Sequence, residues 1–591
     1  MTRFAALAAL VIGLALAGPL FSEPPAPPAK AGAAPAATQP TAFNERLVFI
    51  MDNLDRPENI EKDLKIIERA GKAGYTHIVI TDCKFFRWKE YEGKGYLEKA
   101  QKVRKAIKDA GMKFIAICCD QGSDLISNDP SLAEGTPVID APFVVKDGRL
   151  VPADEDFKIA DADFATTRDS TPASWELIGA KLDPTANGSL LLDNPASAKD
   201  GAMAAKQTIK VKPYRYYRLS MMVKTEDFDK IRNFDVGLTG NTCKQGLSHR
   251  MYSETLKPTQ DWTQIQTTFN TFDNTEVALS IGCYGGGKGK LWIKGIAVEP
   301  GGLVNLVRRD ALPVKVTSAD GKTVYEEGKD LAKVADPKAN MDKYPGNHGM
   351  WYEQPKVEVL KDGRLKEGDK LLLSYHHSQM SYSWGVFACP SEPKTMELVK
   401  WQVQQIHKNL APDGYMMSHD EIRHWGQDPS CTKTGKTLGQ IMAENVRQCF
   451  EIITAEDPGK PVYVWSDMFD PTHNAKKNGR PYYLCKGLDP WVGSWEGLDP
   501  RINIILWWGG NPKRDESTRF FVGRGNKVIL STAINLMPAW MEESYRAGNG
   551  IGTMFTVWDK NYAKMEDFAK MLNDWKPGTV TPTTKASSDL E

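Results

Sequence analysis

The residues with the most chemistry to offer are carboxylates that follow short apolar runs. Arg46 to Met51 runs into Asp52, Thr76 to Thr81 into Asp82, and Lys113 to Cys119 into Asp120. Later, Tyr415 to His419 runs into Asp420-Glu421, Val462 to Ser466 into Asp467, and Gly552 to Trp558 into Asp559. Burying that many carboxylates without use is costly, so together they point to an acidic cleft. Taken singly, several also read as helix caps. Aromatics accompany them: Trp465 stands two residues before Asp467, Trp558 directly before Asp559, and Trp507 closes another run. Apolar sugar faces stack on such rings while hydroxyls bond to carboxylates. Glycosidic cleavage needs a protonated acid at the leaving oxygen and a second group to stabilise the oxocarbenium-like charge. Asp420-Glu421 is the candidate catalytic pair, because neighbouring carboxylates push their pKa values apart and leave one protonated. Adjacent strand residues point to opposite faces, so both reach one ligand only where the strand gives way to a loop. The apolar run stops at Met417, which permits this.

Acids at strand ends converge only if the strands are parallel. Glu58 to Ala73 places Ile60, Leu64, Ile67 and Ala70 near one helical face and is stopped by Gly74. Tyr96 to Ala110 is a second amphipathic helix, and Lys394 to Asn409 and Leu438 to Ala455 repeat the rhythm late in the chain. Further apolar runs are Ile502 to Trp507 and Val528 to Thr532. Alternating strands and helices at this spacing predict an α/β chain forming a (β/α)8 TIM-like barrel. No Gly-x-Gly-x-x-Gly follows the first strand, which weakens a nucleotide-binding reading.

The barrel is expected in two parts, 43–125 and 374–576. Between them, 155–300 alternates apolar and polar residues in short stretches separated by turns, which predicts an inserted antiparallel β-sandwich. Residues 301–373 read as a β-rich connector with hairpin turns at Asp320-Gly321 and Asp362-Gly363. Residues 1–22 read as an export leader: Arg3 is the lone charge before an apolar run, Phe4 to Ala17, too short to span a bilayer. A Pro/Ala-rich linker follows over 23–42, and 577–591 reads as a disordered Thr/Ser/Pro-rich tail. The expected location is therefore periplasmic or extracellular. The chain has 591 residues, with 75 basic and 75 acidic side chains, so nothing electrostatic points to nucleic acid. Apart from the leader, no apolar stretch approaches membrane length, and the 9 Cys form no CxxC pair.

Ala388-Cys389-Pro390-Ser391-Glu392-Pro393-Lys394-Thr395, then a helix, then Gly414-Tyr415-Met416-Met417-Ser418-His419-Asp420-Glu421, resembles the same stretch of glycoside hydrolase family 20, the β-N-acetylhexosaminidases. Ile80-Thr81-Asp82 resembles that family's strand ending in Thr-Asp. Val464-Trp465-Ser466-Asp467 and Val557-Trp558-Asp559 resemble its later Trp-bearing strands. The family's His-x-Gly-Gly is replaced here by Met416-Met417-Ser418-His419, and Asn535 lies where the family places a Tyr. Arg56 loosely matches the family's first-strand Arg. The insert, with Tyr217-Arg218-Leu219-Ser220-Met221-Met222-Val223 and Lys290-Leu291-Trp292-Ile293, resembles a carbohydrate-binding sandwich. The resemblance implies a substrate-assisted retaining mechanism, in which the 2-acetamido oxygen attacks the anomeric carbon. Asp420 would orient the acetamide, and Glu421 would protonate the leaving oxygen and then activate water. The candidate substrate-binding set is Asp52, Asp82, Asp120, His376, His377, His419, Trp465, Asp467, Trp507, Asn535, Trp558 and Asp559. A glycan is the expected partner, and no cofactor or metal is called for.

Three rival readings remain. A conventional glycosidase would pair Glu421 with Asp467 or Glu496. A metal-dependent hydrolase would draw on His376, His377, His419, His424 and His473, although no HExxH-type spacing supports it. A glycan-binding protein without activity would keep the cleft and lose the chemistry. Serine nucleophile chemistry lacks a Gly-x-Ser-x-Gly.

Overall fold

The computed structural model describes residues 43–578, apart from 128, 166, 169–170, 173, 184–187, 199–201, 243–245, 248–255, 340–352, 382–384 and 508–509. The expected leader, the whole expected linker and all but the first two residues of the expected tail lie outside these residues. Eight parallel strands form a closed barrel. They are β1 (Glu45–Met51), β2 (His77–Thr81), β3 (Lys113–Cys118), β4 (Gly414–Met417), β5 (Val462–Trp465), β6 (Ile502–Trp507), β7 (Val528–Ser531) and β8 (Gly550–Phe555). Each pairs with the next, and the ring closes where Glu45 to Val48 of β1 lie in register with Gly552 to Phe555 of β8.

Strand alternation builds two apolar layers. Leu47, Phe49, Val79, Ile115, Met416, Tyr463, Trp465, Ile505, Ile529 and Met554 fill the barrel interior. Their neighbours, among them Val48, Ile50, Ile78, Ile80, Tyr415, Met417, Val464 and Leu506, pack outward against the helices. The helices are α1 (Pro57–Ala73), α2 (Tyr96–Asp109), α3 (Pro393–Leu410), α4 (Leu438–Glu456), α5 (Arg514–Gly523), α6 (Met537–Ala547) and α7 (Met565–Asp574). Pro57 opens α1, and Gly74, at φ 87°, closes it by donating its N–H to the Ala70 and Gly71 carbonyls. Thr437 and Gln440 form a reciprocal capping box on α4. The β5–β6 crossover is irregular, with only the short turn Ser494–Gly497 in place of an α-helix.

The long β3–β4 crossover carries antiparallel sheets. A five-stranded sheet (centred on Tyr216–Glu226 and Lys290–Pro300) and a four-stranded sheet (centred on Met203–Lys210 and Glu276–Cys283) share one apolar core. A further sheet has its own core and joins Thr136–Lys146 to Lys370–His377, with shorter strands at its edges. That sheet corrects one expectation. His376 and His377 end an antiparallel strand, paired with Leu306–Val307 on one side and with Thr136 and Pro137 on the other, and do not end a barrel strand.

Closure leaves no spare room at the seam. A Cβ on Gly552 would come within 2.3 Å of the Glu45 carbonyl oxygen, a backbone atom that cannot swing away. Gly552→Ala is expected to lower the urea midpoint, at a cost of about 1–3 kcal/mol, as overpacking does elsewhere.

Candidate active site

The C-terminal strand ends open into a cavity of about 460 Å³, bordered by Asp52, Asp82, Asp120, Asp420, Glu421, Trp465 and Trp558 among others. Alternation decides which strand-end residues face it. Met416 points into the barrel, so Asp420, four residues on, returns to the inner side, whereas His419 falls on the outer side. There His419 Nε2 lies 2.9 Å from Asn445 Oδ1 on α4, and the ring does not border the cavity.

Asp420 and Glu421 reach the same space because the backbone breaks between them. Glu421 has φ 42°, a left-handed conformation rare for a side chain of its kind. This turn aims the Glu421 N–H at Asp467 Oδ2, 3.1 Å away, and leaves its carboxylate half-exposed against the Arg423 guanidinium. Asp420 is enclosed behind it. Burial and the nearby Glu421 charge raise the Asp420 pKa above the ordinary carboxylate value. Asp467, which also accepts from Asn474 Nδ2 at 3.2 Å, is pushed well up by burial and by Asp420. Across the cavity, burial and Asp124 push Asp120 up to about 7, while the Leu125 N–H at 3.0 Å opposes this. Burial thus shifts all three carboxyls toward the protonated form.

The first two strand-end acids are neutralised differently. Asp52 lies between Lys62 Nζ and Lys560 Nζ, each 3.0 Å away. Asp82 accepts from the Leu54 N–H at 2.8 Å, the Tyr96 hydroxyl at 2.9 Å and Lys84 Nζ at 3.1 Å. Its bonds tie the first two strand ends to α2, so it is a brace on the cavity wall. Trp465, Trp507 and Trp558 form an aromatic cluster with Phe49, at centroid distances of 5.4–6.1 Å. Trp558 keeps 43% of its surface exposed and so presents a free ring at the mouth.

Other expected site residues stand elsewhere. Asp559 follows Trp558 on the opposite side of the chain, is exposed, and accepts from the Asn561 N–H at 3.0 Å. Asn535 is exposed in the turn between β7 and α6 and does not border the cavity. His377 stacks on Tyr216 at 3.7 Å and lies 3.0 Å from Asn270 Nδ2, a packed position in the inserted sheets. His376 is its strand neighbour, and neither borders the cavity. His376, His377 and His424 lie near one another but do not border the cavity. Sequence reasoning missed Lys84, Asp124, Lys560 and the loop Gly385–Phe387, all of which border the cavity. Lys84 and Lys560 each lie within two residues of a strand-end Asp, and that adjacency was the available signal.

No protein-family model and no curated protein matches the chain. Solved structures similar to it include one described as "CBM4 structure and function", at 16% identity over 24% of this chain and 99% of that chain, with a TM-score of 0.18. An Arthrobacter globiformis T6 isomalto-dextranase complexed with panose is 13% identical over 40% of this chain and 47% of that chain, with a TM-score of 0.17. The Clostridium thermocellum endo-1,4-beta-D-xylanase 10B CBM22-1-GH10 modules, complexed with xylohexaose, are 10% identical over 71% of this chain and 92% of that chain, with a TM-score of 0.18. Likenesses at these TM-scores carry no argument, and the site is read from its own geometry.

Behind Asp52, the fully buried Asp63 on α1 is pushed up to about 8 by burial and by the Asp52 charge. The folded state thus holds a proton that the unfolded chain releases near pH 4. Its contribution to stability is complete at lower pH and is lost as pH rises to about 8. Asp63→Asn, which stays neutral, is expected to flatten that decline by up to about 1.4 kcal/mol per pH unit, read from urea unfolding across the range. An unchanged slope would show that Asp63 is ionised in the fold.

Proposed function

We propose that the chain is a glycoside hydrolase whose catalytic centre is the rim cavity around Asp420 and Glu421. One observation carries this reading. A half-exposed, arginine-paired carboxylate (Glu421) adjoins a partly buried and a buried carboxyl whose pKa values are raised (Asp420 and Asp467), and Asp420 and Glu421 share their cavity with the exposed ring of Trp558. Two environments for neighbouring carboxyls supply the acid and the charge stabiliser that glycosidic cleavage needs. The aromatic cluster supplies a surface for an apolar sugar face.

The preferred substrate class is an N-acetylhexosamine-containing glycan, cleaved with retention on a (β/α)8 TIM-like framework. In that route the substrate's acetamido oxygen attacks the anomeric carbon and the leaving-group bond breaks as Glu421 delivers a proton. Asp420, ionised opposite the oxazolinium cation, accepts from the acetamide N–H. Glu421 then takes a proton from the water that opens the oxazolinium. The Arg423–Glu421 ion pair favours a second reading. There Asp420 is the proton donor, Glu421 stabilises positive charge at the anomeric carbon, and no acetamide is required. The inserted sheets would hold the enzyme on the same glycan, and the expected leader would place it outside the cytoplasm.

Hydrolysis of aryl β-glycosides, with and without a 2-acetamido group, separates these readings. Glu421→Gln is expected to lower kcat/KM by about 10²–10⁴-fold, and Trp558→Ala to act mainly through KM. Cleavage confined to N-acetyl sugars supports substrate assistance, and equal cleavage of plain sugars supports the second reading. Full activity in both Glu421→Gln and Asp420→Asn would overturn the assignment of this cavity.

A further inference from the structure

Away from the rim, Glu134, Cys389 and Cys431 are all buried, with one ligand atom of each lying within 4.8 Å of the others. They come from three separate segments: the loop that enters the inserted sheets after β3, the loop that leads into α3, and the short helix Pro429–Thr432 after β4. We propose that these three side chains bind a divalent cation of the zinc class, which staples the root of the insertion to the barrel.

The geometry is that of a ligand set. The two sulfurs are 3.7 Å apart. A tetrahedral zinc with Zn–S bonds of about 2.3 Å would separate them by about 3.8 Å. Cys431 Sγ lies 3.9 Å from Glu134 Oε2, against about 3.5 Å for a carboxylate and a thiolate sharing such an ion. The carboxylate is oriented as second-shell contacts orient metal ligands. Glu134 Oε1 is fixed by the Gln427 and Asp428 N–H groups at 2.7 and 2.9 Å, which turns Oε2 toward the sulfurs. Oε2 belongs to a residue with no exposed surface, and the donor it faces is the Cys431 thiol. Among the described residues, the donor to this buried oxygen is a weak S–H, which leaves a desolvation cost that a cation removes. Thiolates and a carboxylate together suit zinc better than magnesium or calcium.

The surroundings are rigid enough to hold such a site. Arg309 ties the same junction together by pairing with Asp428, by donating to the Ser131 and Ala133 carbonyls at 2.6 and 3.1 Å, and by reaching Glu392 at 3.1 Å. Gly135, next to Glu134, is packed so closely that a Cβ would meet Leu312 at 2.7 Å. Binding of a cation by two thiols releases protons, because the ligands are thiolates.

The test is the metal content of the full chain purified without chelator, together with its mass and thiol count. One zinc per chain is expected, and cobalt put in its place should give thiolate-to-metal charge-transfer absorption. Cys431→Ser and Cys389→Ser should each lose the metal, and Glu134→Gln should weaken it at least tenfold. A Cys389–Cys431 disulfide in the peptide map, two free thiols without metal, or zinc retained in Cys431→Ser would each overturn the proposal. If the variants do not fold, the wild-type metal content and cobalt spectrum decide alone.

Discussion

Eight parallel strands can pair all their main-chain donors and acceptors only by closing on themselves, and this closure is the constraint on which the rest of the molecule depends. An open parallel sheet leaves two edges of unpaired N–H and C=O groups, whereas a ring leaves none. Closure here is tight enough that β8 needs glycine opposite the Glu45 carbonyl. It also makes strand alternation strict. Each strand must send one set of side chains into the barrel and the other into the helix layer, because a slip of one residue would exchange the two. All eight chain directions being the same, every strand then delivers its C-terminal residues to a single rim.

That rim concentrates acidic groups in a space partly closed to water, and two solutions to the resulting electrostatic cost coexist there. Asp52 and Asp82 are neutralised by Lys62, Lys560 and Lys84 and are spent on holding strand ends to helices. Asp120, Asp420 and Asp467 are shifted toward protonation by burial. The contrast separates braces from groups free to exchange a proton with a ligand. The left-handed Glu421 belongs to the same economy, since local backbone strain puts a second carboxylate beside Asp420 without burying it.

The insertion imposes a different demand. Its sheets carry their own apolar cores and enter the barrel through one crossover, so the segments around Glu134, Arg309, Cys389 and Cys431 must hold two bodies in register. Leu484 of the β5–β6 crossover packs into the sandwich core. Polar ties from Arg309 at the root add to that positioning.

Much of this was legible in the sequence. Apolar runs of strand length, the helical spacing of Ile60, Ile67 and Ala70, and the turn residues between them follow from local propensity and periodicity, so the barrel strands and the antiparallel sheets could be placed in advance. Asp follows six of the eight barrel runs, and four of these acids, Asp52, Asp82, Asp120 and Asp420, border the cavity. What the sequence left open was which of those acids faces inward. His419 and Asp559 each neighbour a cavity residue yet point away from it, because alternation turns successive side chains to opposite faces. His376 and His377 were counted with the second barrel part, yet they end the antiparallel strand that begins in the expected β-rich connector. The lysines that neutralise Asp52, the arginine against Glu421 and the thiols facing Glu134 depend on contacts between segments far apart in the chain. Composition and periodicity are properties of neighbours along the chain and so determined the elements. Charge pairing, burial and proton affinity are properties of neighbours in space, and only the folded barrel decided them.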